Sequence, residues 1–192
     1  MGKIYYVMGK SSSGKDTIYK KLLERCSELR TIVPYTTRPI RDGEQDGVEY
    51  YFVDQRRFKE MQDAGQVIEA RSYNTKCGVW IYFTADDGQI DLKHYNYLMI
   101  GTLVSFKALK KYFGEAALVP VYIEVEDGER LTRALEREKH QPAPRYAEMC
   151  RRFLADEDDF SEENLKRAGI VHRFRNQDLS ECLLEIQEYI GL

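Results

Sequence analysis

Gly9-Lys10-Ser11-Ser12-Ser13-Gly14-Lys15-Asp16-Thr17 follows the apolar run Ile4-Tyr5-Tyr6-Val7-Met8, and its reading decides the fold. The spacing is G-x-x-x-x-G-K. Glycines let a backbone curl until several N–H groups face one anion. A helix opening just behind adds the positive end of its dipole, and Lys15 adds a full charge at a transferring phosphate. The preceding run is β-rich, and Ile18, Leu22, Leu23 and Cys26 recur at helical spacing afterwards. Strand, loop and helix therefore stand in the order a phosphate-cradling loop requires; the alternative is an ordinary glycine turn before a helix. Gly9, Lys10, Ser11, Ser12, Ser13, Gly14, Lys15, Asp16 and Thr17 are the expected contacts of a nucleotide polyphosphate. Asp16 stands where Ser or Thr is usual. A carboxylate beside a polyphosphate is tolerable when a hard cation lies between them, so Asp16 is expected to bind Mg²⁺ directly or through water. The alternative gives that work to Thr17 or water and leaves Asp16 as a helix cap.

Outward from the loop, Tyr97–Ile100, Leu118–Val125 and Ile170–Phe174 read as buried strands. Ser105–Phe113, Glu129–Glu138, Arg145–Ala155 and Leu179–Ile190 read as helices. Alternation of this kind predicts an α/β fold, a three-layer α/β/α core around a mainly parallel sheet. Between these lie strand-like stretches at Val48–Val53, Val67–Tyr73 and Val79–Thr84 around a short helix, Gln55–Ala64. They predict a small, mostly antiparallel insert. The expected division is a core of residues 1–33 and 96–192, an insert of 34–95 and a helical lid at about 127–152. Gln141-Pro142-Ala143-Pro144 breaks two arginine-bearing helices. The acidic run Asp156–Asp159, with Glu162 and Glu163, reads as a solvated helix face.

The 192 residues suffice for one well-buried core. With 29 Lys and Arg against 32 Asp and Glu, the net charge of −3 speaks against nucleic acid as a partner. No apolar run approaches the ~20 residues a bilayer demands, and the N-terminus lacks a signal-peptide layout, so no membrane partner is expected. Four scattered cysteines and three dispersed histidines suggest reduced thiols in a cytoplasmic protein and no zinc site.

A second motif is more specific. Thr36-Thr37-Arg38-Pro39-Ile40-Arg41-Asp42-Gly43-Glu44, with Gly47, Tyr50 and Phe52, has the residue types of an anion clamp. Arg38 and Arg41 are planar forks suited to phosphate, and Tyr50 offers a hydroxyl. This segment resembles the acceptor-binding signature T-T-R-x-x-R-x-G-E-x-x-G-x-x-Y-x-F of the guanylate kinase family, with weaker resemblance over the rest of the chain. The resemblance implies ATP as donor, GMP as acceptor and Mg²⁺ bound with ATP. It implies that Arg38, Arg41 and Tyr50 hold the acceptor phosphate, that Glu44 orients the arginines, and that Glu69 accepts hydrogen bonds from the guanine edge. Lys15, Arg38, Arg133, Arg137 and Arg152 are implied as the catalytic cations. Asn176 matches an asparagine near adenine. Arg130 and Arg151 are expected at the surface.

The chain also departs from that pattern. Pro34 replaces a phosphate-binding serine. The Tyr-Gly-Ser/Thr motif due after Glu69 falls on Cys77-Gly78-Val79 or, in a shifted alignment, on Tyr82 and Thr84; both alignments stay open. The strand Tyr97-Leu98-Met99-Ile100-Gly101-Thr102 lacks the family's carboxylates. Asp16 is the candidate replacement. Two other readings follow: a kinase of the same fold acting on another phosphorylated acceptor, such as ribose 1,5-bisphosphate, and a non-catalytic module that holds phosphopeptides. The intact Lys15 and loop glycines favour an enzyme. A monomer or homodimer is expected.

Overall fold

The computed structural model describes residues 2–75 and 78–192. Its first sheet is built on β1 (Ile4–Met8), in which every residue is buried. Strand side chains alternate between faces. Ile4, Tyr6 and Met8 accordingly pack on one side with Phe106, Leu109, Leu165 and Ala168. Tyr5 and Val7 pack on the other with Ile18, Leu22, Leu183 and Ile186. A strand buried on both faces needs helices on both, and the chain supplies them: α1 (Lys15–Arg25) before β2 (Arg30–Thr31), and further helices after the insert.

The insert contains β3 (Tyr35–Thr36), β4 (Tyr51–Phe52), α2 (Gln55–Asp63), β5 (Val67–Thr75) and β6 (Gly78–Ala85). The chain then returns through β7 (Tyr97–Ile100), α3 (Leu103–Phe113), β8 (Leu118–Glu124), α4 (Asp127–Lys139), α5 (Tyr146–Asp159), α6 (Glu162–Ala168), β9 (Phe174–Arg175) and α7 (Leu179–Ile190). The first sheet has the order β2-β7-β1-β8-β9 and is parallel throughout. The second has the order β4-β3-β6-β5; its β3–β6 and β5–β6 pairs are antiparallel and its β3–β4 pair is parallel. The expected α/β class with a mostly antiparallel second sheet is what the chain adopts.

One face of the second sheet packs Tyr35, Phe83 and Ala85 against Met61 and Phe58 of α2. The opposite face carries the polar residues considered below. No helix among the described residues is long and apolar enough to cross a membrane.

Two expected strands shrink. Val48–Val53 contributes only Tyr51–Phe52, and Ile170–Phe174 only its last residue, joined by Arg175. Ile170 is buried for a different reason. Gly169 closes α6 in the left-handed conformation, and the Ile170 N–H donates to Leu165 O at 3.0 Å, so Ile170 caps the helix as its apolar stop. Helix α6 itself lies where the acidic sequence read as a solvated face.

Candidate active site

The loop after β1 ends at Gly14, whose φ of +83° places it in the left-handed region, and α1 begins there without a side-chain cap. The first-turn N–H groups of α1 are thus free of side-chain acceptors, as an anion site needs. A Cβ on Gly14 would stand 2.4 Å from Asn176 Nδ2. Ser12 has φ of +63°, the one positive φ at a non-glycine position among the described residues. Lys15 is largely buried; its Nζ lies 3.6 Å from an Asp16 carboxylate whose side chain is 79% exposed. Asp16 and Thr17 both lie on the open side of the first turn. Their oxygens form a donor set suited to a hard cation.

Helices α4 and α5, the expected lid, reach the loop by side chains the sequence did not single out. Arg130, expected at the surface, is 1% exposed. Its Nε donates to Ser11 O at 3.1 Å, Nη1 to Glu157 at 3.0 Å and to Asp127, and Nη2 to Asp156 at 3.4 Å. Lys10 Nζ also meets Glu157 at 2.7 Å. The acidic end of α5 is therefore only partly solvated: Asp156 and Glu157 are bound to the phosphate loop. Arg133 donates to Asn176 O at 3.0 Å, and Asn176 Nδ2 donates to Ser13 O at 2.8 Å. Arg152 reaches Ser11 Oγ at 3.3 Å. Arg137 is exposed without a hydrogen bond or ion pair among the described residues, and Arg151 pairs with Glu148 at the surface.

In the insert, Glu44 grips Arg38 through both oxygens, at 2.7 and 2.5 Å, and accepts the Arg41 backbone N–H at 2.9 Å. Arg38 is 4% exposed and lies over the rings of Tyr50 and Phe52 at 5.1 and 5.2 Å. The Glu44 hydrogen bonds push the Arg38 guanidinium up from its ordinary pKa and hold the Glu44 carboxyl below the usual range. Burial pushes the Tyr50 phenol up. Arg41 is exposed, and its side chain makes no hydrogen bond or ion pair among the described residues. Tyr82 packs edge-on to Tyr50 at 5.6 Å.

Glu69 is 9% exposed and accepts from Thr84 Oγ1 at 2.9 Å and from Arg71 Nε at 3.1 Å. Thr84 sits opposite Glu69 on β6, and Tyr82 opposite Arg71, so Tyr82 and Thr84 stand beside Glu69 and the clamp. Val79 is 43% exposed further down the hairpin, and Cys77 lies outside the described residues. Arg71 and Thr102 escaped the sequence reading. Arg71 was legible only as the residue two beyond Glu69 on the same strand face. Thr102 caps α3 at the end of β7, where no carboxylate stands. No group of three or more metal-ligating side chains forms among the described residues.

Across the protein, Ser12 Oγ, Ser13 Oγ and Arg38 Nε are the buried side-chain polar atoms left without a partner among the described residues. Two lie in the phosphate loop and one in the arginine clamp. Buried polar atoms are normally hydrogen-bonded, so orphans confined to the loop and the clamp mark candidate ligand contacts.

Residues 1–79 match the guanylate kinase family model. A guanylate kinase of Legionella pneumophila (strain Lens) is 42% identical over 74 residues, which cover 38% of this chain and 35% of that protein. One from Desulfotalea psychrophila is 41% identical over 69 residues, covering 36% and 34%. The matched part thus spans about a third of the length of these curated relatives. In structure, the chain is similar to a crystal structure of guanylate kinase from Anaplasma phagocytophilum, with a TM-score of 0.66 at 22% identity, over 99% of this chain and 85% of that one. In sequence over its first 79 residues, and in fold over its whole length, this chain is guanylate-kinase-like.

Proposed function

We propose that the protein transfers the terminal phosphoryl group of ATP to GMP, giving ADP and GDP in one in-line step. The orphaned polar atoms of Ser12, Ser13 and Arg38 carry this reading, because among the described residues they fall only in the loop after β1 and in the arginine clamp, the two places where a donor and an acceptor phosphate would bind. The polyphosphate would take the uncapped first-turn N–H groups of α1 and Lys15. The acceptor phosphate would take Arg38, held in place by Glu44, together with Arg41 and Tyr50. An oxygen of the acceptor phosphate is already ionised near neutral pH, so the attack needs no general base. The protein's share is alignment and neutralisation of charge on the moving phosphoryl group. Arg133 and Arg152, which touch the loop's surroundings, would contribute to that neutralisation, with Arg137 reaching in when the lid closes over both substrates. Mg²⁺ bound with ATP would supply further charge neutralisation, and Asp16 and Thr17 in the first turn of α1 are the residues that would hold it. The reading extends to a nucleoside monophosphate kinase without a membrane or nucleic-acid partner.

An ADP-release assay across GMP, dGMP, AMP, UMP and ribose 1,5-bisphosphate tests the proposal. GMP should give the highest kcat/KM. Lys15→Ala and Arg38→Ala should each lower it by at least about 100-fold. Turnover of ribose 1,5-bisphosphate in preference to GMP would overturn the acceptor assignment.

A further inference from the structure

Glu69 and Arg71 are two residues apart on β5, so their side chains share a face of the second sheet. Thr84 and Tyr82 stand opposite them on β6, and Thr36 stands opposite Tyr82 on β3, two residues before Arg38. This polar face therefore runs from the arginine clamp to the Glu69–Arg71 pair. It turns toward the first sheet, because Arg71 Nη1 donates to Thr102 Oγ1 at 2.9 Å. The Arg71 side chain is 19% exposed and that of Glu69 5%.

Resting on the GMP reading above, we propose that Arg71 is a second guanine-reading residue, donating hydrogen bonds to O6 while Glu69 accepts those of N1–H and the 2-amino group. A carboxylate alone reads only the donor half of that edge. Its neighbour O6 is an acceptor and needs a donor. A guanidinium has five N–H groups. Arg71 places Nε on Glu69 and one Nη1 hydrogen on Thr102, with only a 3.5 Å contact from Nη2 to Glu69 Oε1, which leaves donors to spare. Guanine offers the acceptor oxygen that arginine matches well. Adenine reverses both halves. Its 6-amino group would face Arg71, donor against donor, and its N1 would face Glu69, acceptor against acceptor. The pair therefore excludes AMP twice, in a chain whose hydroxyl-bearing motif after Glu69 is displaced.

The rival role for Arg71 is a strut tying the insert to the core through Thr102. Three proteins and two acceptors separate the roles. The parent, Arg71→Gln and Thr102→Val are assayed with GMP and with 2-aminopurine riboside monophosphate, which keeps the 2-amino group but lacks both O6 and the N1 proton. The analogue is therefore the weaker acceptor for the parent, and each variant is compared with the parent on the same acceptor. Circular dichroism and thermal melts show that each variant folds, and Arg71→Lys replaces the glutamine variant if that one does not. The expected result is a fall of about 10- to 100-fold in kcat/KM for GMP in Arg71→Gln, with the analogue changed by less than about 3-fold. Thr102→Val should stay near the parent in its preference for GMP over the analogue. Equal losses on both acceptors, or a Thr102→Val that matches Arg71→Gln, would make Arg71 a strut and overturn the inference alone. A folded parent that turns over neither acceptor overturns the GMP reading and this one with it.

Discussion

The backbone N–H of Ser11 donates to the Asp156 carboxylate at 2.7 Å, so the end of α5 holds the outer wall of the phosphate loop. Glu157 holds Lys10 beside it, and the buried Arg130 stitches Ser11 O to both acids and to Asp127. Helix α5 is thus anchored at its C-terminal end to the loop after β1, which the proposed function assigns to the donor.

Arg130→Ala should be among the most damaging changes in the lid. Among the described residues it leaves Asp156 without a cation partner, and Asp127 and Glu157 with Lys10 alone. Breaking a buried ion network from one side costs about 3–5 kcal/mol. Urea unfolding should show a lower midpoint with an unchanged slope. Arg151→Ala, at an exposed pair, should shift stability by less than about 1 kcal/mol.

Asn176→Ala removes the side-chain bond to Ser13 O, at a position only 5% exposed. A lost buried hydrogen bond costs about 1–3 kcal/mol. Because the bond steadies the donor loop, KM for ATP should rise while KM for GMP stays close to the parent's. Initial rates with each substrate varied in turn check this, and a rise confined to GMP would contradict it.

Acid should loosen the arginine clamp. Hydrogen bonds from Arg38 hold the Glu44 carboxyl below its ordinary pKa, against an opposing effect of burial. A depressed folded pKa means the contribution is complete above the unfolded value, near ~4.3, and drains away as pH falls through the folded value. Glu44→Gln never has it. The stability gap between parent and variant should therefore be steady near neutrality and close below about pH 4. Denaturant melts along that pH series measure the gap; a constant gap would disprove the linkage.

Asp16→Ser tests the metal assignment. With the carboxylate lost from the exposed first turn of α1, half-saturation by Mg²⁺ at fixed ATP should move to higher concentration, on the order of 10-fold. An unmoved titration assigns the metal to the nucleotide and water alone.

Much of the fold was legible because burial leaves a periodic trace. β1 is apolar on both faces, α7 has the bounds its spacing predicts, and the phosphate loop sits between the two elements its motif demands. Ile170 misled because an apolar residue after a helix-ending glycine resembles the start of a strand. In the site, residues carried by a contiguous motif, such as Arg38 and Glu44, were visible. Arg130, Asp156 and Arg71 were not. Asp156 lies 145 residues from Ser11 in sequence, and no local pattern records that meeting. An arginine on an amphipathic helix looks solvated until the partner that buries it is in place.

Gly101, at the acid-free end of β7, faces the Tyr6 hydroxyl so closely that a Cβ there would lie 2.0 Å from it. Tyr6 is itself fully buried and donates to Ser105 Oγ at 2.8 Å. A carboxylate at residue 101 cannot be introduced by Gly101→Asp alone, since the tyrosine occupies the room its first carbon would need. Placing an acid there requires a smaller residue at position 6 as well, so the two positions can change only together.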